Sequence, residues 1–335
     1  MTRKKTPDRR ATSADVAREA GVSRATVSFV LNDTPGQTIP EDTRRRVLAA
    51  ATALRYQPSA AARVLRSGRS DIVLLLMPGW SSGELVARTL DVMSQEFSER
   101  GMTFLVHPRA GSNRHLSDLW RDVTPALVIT VDPLGPHELS QLDAAGIAHL
   151  PFRLGEDGAA LGASQDTIGR IQAEHLVGLG HRRLGYAMTA DASLIPFAEP
   201  RLRGVGQVCA EHGLPAPVVL STPPGTAAGQ AMRAWRAAGV TAVAAYNDEV
   251  ALALLAAARQ TQVVVPDDLA VIGADDIGAA ALASPPLTTV RFDPATLVPA
   301  LVASILRSIG RDTGEPGPAT APAEVVARGS TRRAR

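Results

Sequence analysis

Hydrophobic positions near the start of the chain recur at helical spacing and predict three short helices. A T-x-x-D capping pattern begins the first helix at Thr12, and Gly21 is suited to end it. Ser23 is placed to cap a second helix that ends near Leu31. Pro40, a favourable first-turn residue, opens the third. The pattern therefore predicts a helix, a tight turn, a second helix, a loop and a longer helix.

From Asp71 onward, short apolar runs alternate with helical stretches. Strands are predicted at 72–77, 103–106, 126–131, 147–152, 184–188, 242–246 and 270–272. Helices are predicted at 84–99, 139–145, 168–179, 201–212, 227–238 and 249–261. Alternation of this length indicates parallel, doubly wound sheets. The predicted fold class is an all-α helix-turn-helix head followed by an α/β body with two lobes, each a doubly wound parallel sheet.

The predicted organisation has three parts: a head at 1–57, a linker at 58–70 and a two-lobe body at 71–335. The alanine-rich run in the linker is too short to hold a helix in water without a partner. We therefore expect it to be helical only under some conditions. The body is too long for one sheet, so two lobes are expected, with the chain crossing between them near 180 and 291. The Gly- and Pro-rich tail at 310–322 is predicted to be loop.

Charge separates the head from the body. The chain of 335 residues is 45% hydrophobic and 20% charged, which is typical of globular proteins and excludes wholesale disorder. Residues 1–70 hold fourteen Lys and Arg against six Asp and Glu, although the net charge of the whole chain is only +2. A basic head on an acidic body indicates a module that binds a polyanion such as nucleic acid. The alternative is a solvated basic tail.

Several classes of protein are excluded by what the chain contains. Cys209 is the one cysteine, so neither an internal disulfide nor a cysteine metal site can form. The longest apolar stretches fall well short of the ~20 residues that span a bilayer. The charged first ten residues are not followed by the apolar region of a secretory signal. We expect a soluble, cytoplasmic protein with no membrane partner, no cofactor and no metal.

The stretch at 15–32 meets the requirements of a helix-turn-helix DNA reader, with a glycine at the turn. At 100° per residue, Val27, Val30 and Leu31 cluster on one side of the second helix and form its core face. Phe29 lies nearly opposite. An exposed phenylalanine can contact thymine methyl groups in the major groove. The alternative places Phe29 in the core, and we favour the groove.

The same stretch closely resembles the amino-terminal signature of the LacI/GalR family of bacterial transcription regulators, D-V-A-x-x-A-G-V-S-x-x-T-V-S-x-V-L-N. The resemblance extends over nearly the whole chain, through further motifs at 175–183, 246–248, 265–277 and 285–290. It implies a repressor that binds a palindromic double-stranded DNA operator and is released by a small-molecule effector, such as a sugar, that acts allosterically. A ligand-independent or corepressor-type regulator is the alternative. A homodimer is expected, because the leucine-heptad helix of family tetramers is not seen after the body.

The resemblance implies a set of DNA contacts in the head and linker. Arg24 and Ala25 would read bases, and Arg24 is the best candidate for a guanine. Phe29 stands where relatives more often have a polar base reader. Leu65, in the linker motif that includes Ala62, would wedge into the minor groove and kink the site. Four further residues would hold phosphates: Ser23, Thr26, Ser28 and Asn32.

The resemblance also implies a body like that of periplasmic sugar-binding proteins, with a ligand cleft between two lobes. Such a unit places a ligand at the carboxyl ends of its strands. Arg201 and Asp275 match the family's effector-binding arginine and aspartate, and Asn247 lies at a strand end facing the same cleft. In the first lobe, where the chain departs from the family pattern, Asp166 and Trp80 are candidates. Trp80 could instead be a core or surface residue, and Arg201 and Asp275 could form an interlobe salt bridge.

Features of the chain oppose three other functions. An enzyme is not expected: Asp275 and Asp276 would point to opposite faces of a strand, and protease, hydrolase and nucleotide-binding motifs are missing. His175 and His181 lack the spacing of metal ligands. The DNA-reading head and the missing signal oppose a transport-type binding protein. An architectural DNA binder would not need the two-lobe body.

Overall fold

The computed structural model describes residues 11–31, 38–56, 70–79, 83–109, 116–151, 165–223, 226–311 and 323–334. The chain divides into two compact units, Met1–Ser70 and Asp71–Arg335. The candidate site residues Asn32, Ala62, Leu65 and Trp80 lie outside the described residues, as do nearly all of the linker and most of the predicted loop at 310–322.

In the part of the first unit that the structure describes there are three helices: α1 (Ser13–Ala20), α2 (Arg24–Leu31) and α3 (Glu41–Ala53). The predicted capping pattern at the start of α1 is confirmed. The backbone N–H of Thr12 donates to the Asp15 carboxylate at 2.9 Å, and the Thr12 hydroxyl accepts from the Asp15 backbone. Gly21 ends α1 with a φ of 65°, a left-handed conformation that favours glycine.

Valine and alanine side chains from all three helices form the core of the head: Val16, Ala17, Ala20, Val27, Val30, Val47, Ala50 and Ala51. Leu31 packs against this cluster, so the predicted core face of α2 is confirmed. Phe29 is half-buried and does not belong to the cluster. Ser23 caps α2, because its hydroxyl oxygen accepts a hydrogen bond from the Thr26 backbone at 3.1 Å.

The described residues of the second unit form two sheets. The first is fully parallel, in the order β2-β1-β3-β4. Its strands are β1 (Ile72–Met77), β2 (Thr103–Pro108), β3 (Leu127–Thr130) and β4 (Ala148–Pro151). The helices between them are α4 (Glu84–Glu99), α5 (Leu116–Val123) and α6 (Pro136–Ala144). The central strands β1 and β3 are almost entirely buried and apolar, as expected of strands covered on both faces.

The second sheet has the order β10-β9-β8-β7-β5-β6, with only β10 antiparallel to its neighbour. Its strands are β5 (Leu184–Met188), β6 (Val218–Ser221), β7 (Ala242–Ala245), β8 (Ala270–Ala274), β9 (Thr288–Arg291) and β10 (Glu324–Val326). Its helices are α7 (Gln165–Gly178), α8 (Ile195–Glu211), α9 (Thr226–Ala237), α10 (Asp248–Thr261) and α11 (Gly278–Leu282). Strand–helix alternation around parallel sheets confirms the predicted two-lobe α/β body.

A last long helix, α12 (Pro294–Ser308), returns to the first sheet after β9. Its side chains Val298, Leu301 and Ile305 are buried with Val73 and Ile129 of the first sheet. We therefore define the first lobe as β1–β4 with α4–α6 and α12, and the second lobe as β5–β10 with α7–α11.

The first crossing between lobes corrects the sequence-based prediction. Helix α7 belongs to the second lobe, where Ile168 and Leu176 are buried with Tyr186 of β5. The chain therefore changes lobe between Pro151 and Gln165, not near 180. Gly180, with a φ of 93°, lies in the turn between α7 and β5, inside the second lobe. In the sequence, a glycine turn between a helix and a strand looks the same as a boundary between lobes.

Candidate functional site

A cavity of about 520 Å³ lies between the two lobes of the body. Its volume is within the ~300–1,000 Å³ typical of small-molecule sites. Residues at or just beyond the carboxyl ends of five parallel strands line it: Met77, Val131, Thr189, Tyr246 and Asp275. Parallel α/β sheets place ligands at this end of their strands, because side chains of the connecting loops converge there.

Arg201, on α8, is the central polar residue of the cavity wall and is only 4% exposed. Its Nε donates to Gln165 Oε1 at 2.7 Å and its Nη1 to the Tyr246 carbonyl oxygen at 2.6 Å. Its Nη2 donates to Asp275 Oδ1 at 3.3 Å. The guanidinium also lies 4.9 Å from the centre of the Tyr246 ring, which adds a cation–π contact. Every nitrogen is thus engaged, so the guanidinium is held in a fixed orientation.

The ion pair between Arg201 and Asp275 lies within the second lobe. Arg201 lies on α8 and Asp275 directly follows β8, and both elements belong to the second lobe. The interlobe salt bridge considered as an alternative is therefore not what these residues form. Their contact with the first lobe is through the backbone, since Arg88 of α4 donates to the Asp275 carbonyl oxygen at 2.9 Å.

Asp275 has both a shifted pKa and a strained backbone conformation. Burial raises its pKa to about 6, although the charge of Arg201 acts in the opposite direction. Its φ is 106° and that of Asp276 is 47°, left-handed conformations that cost a non-glycine residue energy. The Asp276 carboxylate binds Arg328 at 2.7 Å, which anchors the turn. Strain held in place by such anchors is typical of ligand-binding loops.

Two further polar residues of the wall lie at the start of α10. Asn247 caps this helix, because its Oδ1 accepts from the Val250 backbone at 3.0 Å. Its amide nitrogen donates to the Glu249 carboxylate. Both side chains line the cavity, so the strand end after β7 presents an amide and a carboxylate to a ligand.

The structure brings together some of the predicted cleft residues and not others. Arg201, Asn247 and Asp275 line one cavity. Asp166 is not among the lining residues, whereas its neighbour Gln165 is. Asp166 lies where α7 packs very closely on α8: a Cβ at Gly204 would collide with its backbone carbonyl. Polar lining residues that sequence reasoning missed are Thr89, Gln165, Thr189, Asp191, Thr222 and Glu249.

The head presents six of the candidate DNA contacts within the described residues: Ser23, Arg24, Ala25, Thr26, Ser28 and Phe29. Arg24 and Ala25, at the start of α2, are exposed. The Ser23 and Thr26 hydroxyls are hydrogen-bonded to each other at 2.9 Å. The buried side of α2 is the one that carries Val27 and Val30, so these polar residues are not part of the core.

The described part of the chain contains no group of three or more His, Cys, Asp or Glu side chains placed to hold a metal ion. No helix there is long and apolar enough to cross a membrane. His175 and His181 bind the end of the chain, through the Thr331 hydroxyl and the Arg332 carbonyl oxygen, both at 3.0 Å.

Comparison with known proteins places both units in one family. The model for bacterial regulatory proteins of the lacI family matches residues 12–59, and that for a periplasmic binding protein-like domain matches residues 173–331. The HTH-type transcriptional regulator GalR of Salmonella typhimurium strain SL1344 is 31% identical over 299 residues, which are 86% of each chain.

Two solved structures share the fold. The lac repressor dimer bound to operator and the anti-inducer ONPF has a TM-score of 0.77 at 22% identity, covering 97% of this chain and all of that one. The cellobiose complex of the transcriptional regulator CelR has a TM-score of 0.64 at 26% identity, covering 96% and 100%. These matches confirm the family resemblance and the fold read from the sequence. The chain belongs to the lacI family of bacterial regulatory proteins, which bind DNA and regulate transcription.

Proposed function

We propose that the protein is a homodimeric repressor that binds a palindromic operator through its heads and leaves it when a small ligand occupies the interlobe cavity. The observation that carries this proposal is the buried pair of Arg201 and Asp275 in the wall of that cavity, in a chain with a lacI-family head. A carboxyl group whose pKa is shifted by burial and by a specific charge partner, and which lies in a cleft, marks a candidate binding site.

The recognition surface we propose is the exposed side of α2. The second helix of a helix-turn-helix enters the major groove with its N-terminal residues. Arg24 and Ala25 occupy that end and are exposed, which suits base readout. Ser23 and Thr26, at the same end, carry hydroxyls that can donate to phosphates and so fix the register. Phe29, one turn further, offers an aromatic edge to a thymine methyl group.

A dimer is supported by apolar side chains on the surface of the second lobe. Leu282 at the end of α11 is 86% exposed, and Val264 after α10 is 53% exposed. Burial of these side chains against a second chain would remove apolar surface from water, which favours association. The lac repressor, which shares the fold, was solved as a dimer on its operator. Two heads related by a two-fold axis would read two half-sites, which accounts for a palindromic operator.

The ligand we propose is a sugar or sugar derivative. The amide and carboxylate groups of Asn247, Glu249 and Asp275 can accept from or donate to hydroxyl groups, which is the chemistry a sugar presents. The related regulator CelR was solved with cellobiose. The ligand must bind one arrangement of the lobes more tightly than the other, because equal affinity for both would leave the equilibrium between them unchanged.

Selection of DNA from a random duplex pool by the full-length protein tests the DNA-binding half of the proposal. We expect an enriched pseudo-palindrome with two half-sites. A thermal-shift screen of neutral sugars and their glycosides tests the ligand half. Compounds that bind should weaken operator binding, and Arg201→Lys should remove this response while the variant still binds the operator. Enrichment of a single asymmetric site, or ligands that bind without affecting DNA, would contradict the proposal.

A further inference from the structure

We propose that Gln172, on α7, is a positioning residue for Arg201. Its buried side-chain amide holds the carboxyl ends of β7 and β8 at the separation at which one guanidinium can bind groups from both strands. This inference rests on the effector role proposed above for Arg201, and it adds a residue that is not itself part of the cavity wall.

The Gln172 amide joins β7 and β8 just beyond the end of their ladder. The pairing of the two strands ends at Ala244 and Ile272. The Gln172 Nε2 donates to the carbonyl oxygen of the next residue on each strand, Ala245 at 2.8 Å and Gly273 at 2.9 Å. Both hydrogens of the amide nitrogen are thus used to connect the strands where their backbone ladder stops.

The same two strand ends supply two of the partners of Arg201. The carbonyl oxygen of Tyr246, directly after Ala245, accepts from Arg201 Nη1 at 2.6 Å. The carboxylate of Asp275, two residues after Gly273, accepts from Nη2 at 3.3 Å. The planar guanidinium fixes the spacing of its nitrogens. A change in the separation of the strand ends must therefore weaken at least one of these two bonds.

Gln172 is an unfavourable side chain for its position unless the amide has such a role. It is fully buried, on the face of α7 that also buries Ile168 and Leu176. Its Oε1 is buried and accepts no hydrogen bond from the part of the chain that the structure describes. A buried acceptor without a partner is costly, and an apolar side chain of the same length would avoid this cost. The amide therefore contributes through its two N–H groups.

The same face of α7 contacts Arg201 at two further points. Gln165, Gly169 and Gln172 are spaced i, i+4 and i+7, which places them on one side of the helix. Gln165 Oε1 accepts from Arg201 Nε at 2.7 Å. At Gly169, an added Cβ would collide with the Arg201 carbonyl oxygen, so α7 and the backbone of α8 touch there. One face of α7 thus controls the side chain of Arg201, its backbone and the strand ends that it bridges.

The reactivity of Arg201 tests this role without any effector. The probe is phenylglyoxal, a neutral reagent that modifies arginine side chains, applied to the full-length protein. Peptide mass spectrometry gives the rate at Arg201, with the exposed Arg24 as internal standard. Arg201 is 4% exposed and should react slowly in the wild type. Gln172→Met keeps the length of the side chain and removes the amide, so Arg201 should react about fivefold faster or more, the equivalent of one lost hydrogen bond.

Matched variants separate positioning from a general loosening of α7. Leu176→Ala, one turn further on the same buried face, loses packing and should lower the thermal midpoint at least as much as Gln172→Met does. Arg201 should nevertheless react in it as slowly as in the wild type. Gly169→Ala should speed the reaction, whereas Gly178→Ala, on the same helix and with nothing within 4 Å of the added Cβ, should not. Gln172→Asn, whose amide is set back by one methylene, should act like Gln172→Met and replaces it if that variant does not fold.

Two results would overturn the inference. A wild-type rate at Arg201 in the Gln172 variants would show that the amide does not set the strand ends. An equal acceleration in Leu176→Ala would show that any loss of packing under α7 frees Arg201. Neither result bears on the effector role, which depends on whether sugars release the operator in an Arg201-dependent way.

Discussion

Arg88 of the first lobe donates a hydrogen bond from Nη2 to the backbone carbonyl oxygen of Asp275 in the second lobe, at 2.9 Å. One turn earlier on α4, the Glu84 carboxylate accepts from the Gly278 backbone N–H at 3.0 Å. Both bonds hold the first turns of α4 against the turn that contains the strained Asp275. The lobe arrangement and the cavity wall are therefore connected through the same turn.

This connection predicts an opposite effect of one substitution on two ligands. Arg88→Gln removes a charged donor between the lobes and disfavours the arrangement in which the bond forms. Because effector and operator are proposed to favour different arrangements, their affinities should shift in opposite directions, each by about fivefold, the equivalent of ~1 kcal/mol. Calorimetry with the effector and fluorescence anisotropy with the operator measure the two shifts. Arg121→Gln, on the exposed side of α5, is the control, and parallel shifts would refute the link.

Arg24 is predicted to read a base. Arg24→Ala should lower discrimination at one position of each half-site by about 1–3 kcal/mol, because a bidentate contact to guanine is lost. Arg24→Lys keeps the charge and loses the planar fork, so it should lose discrimination to a similar degree with an unchanged salt dependence. Binding to a panel of operators with single base changes measures both. Equal losses on specific and random DNA would instead identify Arg24 as a phosphate contact.

The sequence predicted elements well where the pattern was strong and local. Ile72–Met77 and Glu84–Glu99 have the predicted bounds, because one is a continuous apolar run and the other a long amphipathic helix. Strand β6 was missed because its four residues at a sheet edge alternate between partly buried and exposed. The start of α8 was placed six residues late, since Pro200 suggests a boundary although it lies inside the helix.

Residues of the site were predicted only where they stand in motifs of the family. Arg201, Asn247 and Asp275 stand in recognisable motifs, and they line one cavity. Residues such as Asp191 and Thr222 occupy short turns after strands, and no local signal separates a turn that faces the cleft from one that faces solvent. The apolar lining residues could not be anticipated, because Val131 and Leu301 look like ordinary core residues in the sequence until the lobes are placed side by side.

Leu282 is predicted to lie in the interface between protomers. Leu282→Glu places a charge where an apolar side chain, 86% exposed in the single chain, would be buried in a dimer. We expect sedimentation to show mainly monomer at micromolar concentration and operator affinity to fall by at least tenfold, because two heads no longer bind together. Val219→Glu, on the edge strand β6, should remain dimeric. A Leu282→Glu protein that sediments as the wild type would place the interface elsewhere.

Asp248, the first residue of α10, gives the protein a predicted dependence of stability on pH. Its side chain is fully buried, and burial raises its pKa to about 7, with a smaller contribution from the charges of Asp275 and Asp276. Hydrogen bonds from the Thr289 hydroxyl at 2.6 Å and the Ile277 backbone N–H at 2.9 Å act in the opposite direction, because they favour the carboxylate. The folded protein therefore binds a proton here more readily than the unfolded chain does.

The sign of the effect follows from this difference. A pKa raised on folding stabilises the protein fully below the unfolded value near 4, and this stabilisation is lost as the pH rises through about 7. The asparagine of the Asp248→Asn variant cannot titrate. The free energy of unfolding of the wild type, minus that of the variant, should therefore fall between pH 5 and pH 8, by at most about 1.4 kcal/mol per pH unit. Urea unfolding at several pH values measures it. The half-buried His175 and the buried His181, whose pKa values are lowered by desolvation, give the opposite slope in both proteins and cancel in the difference. Thr289→Val should extend the dependence to higher pH, since it removes a bond that favours the carboxylate and so raises the folded pKa further. A difference that stays constant across this range would show that Asp248 is not the titrating group.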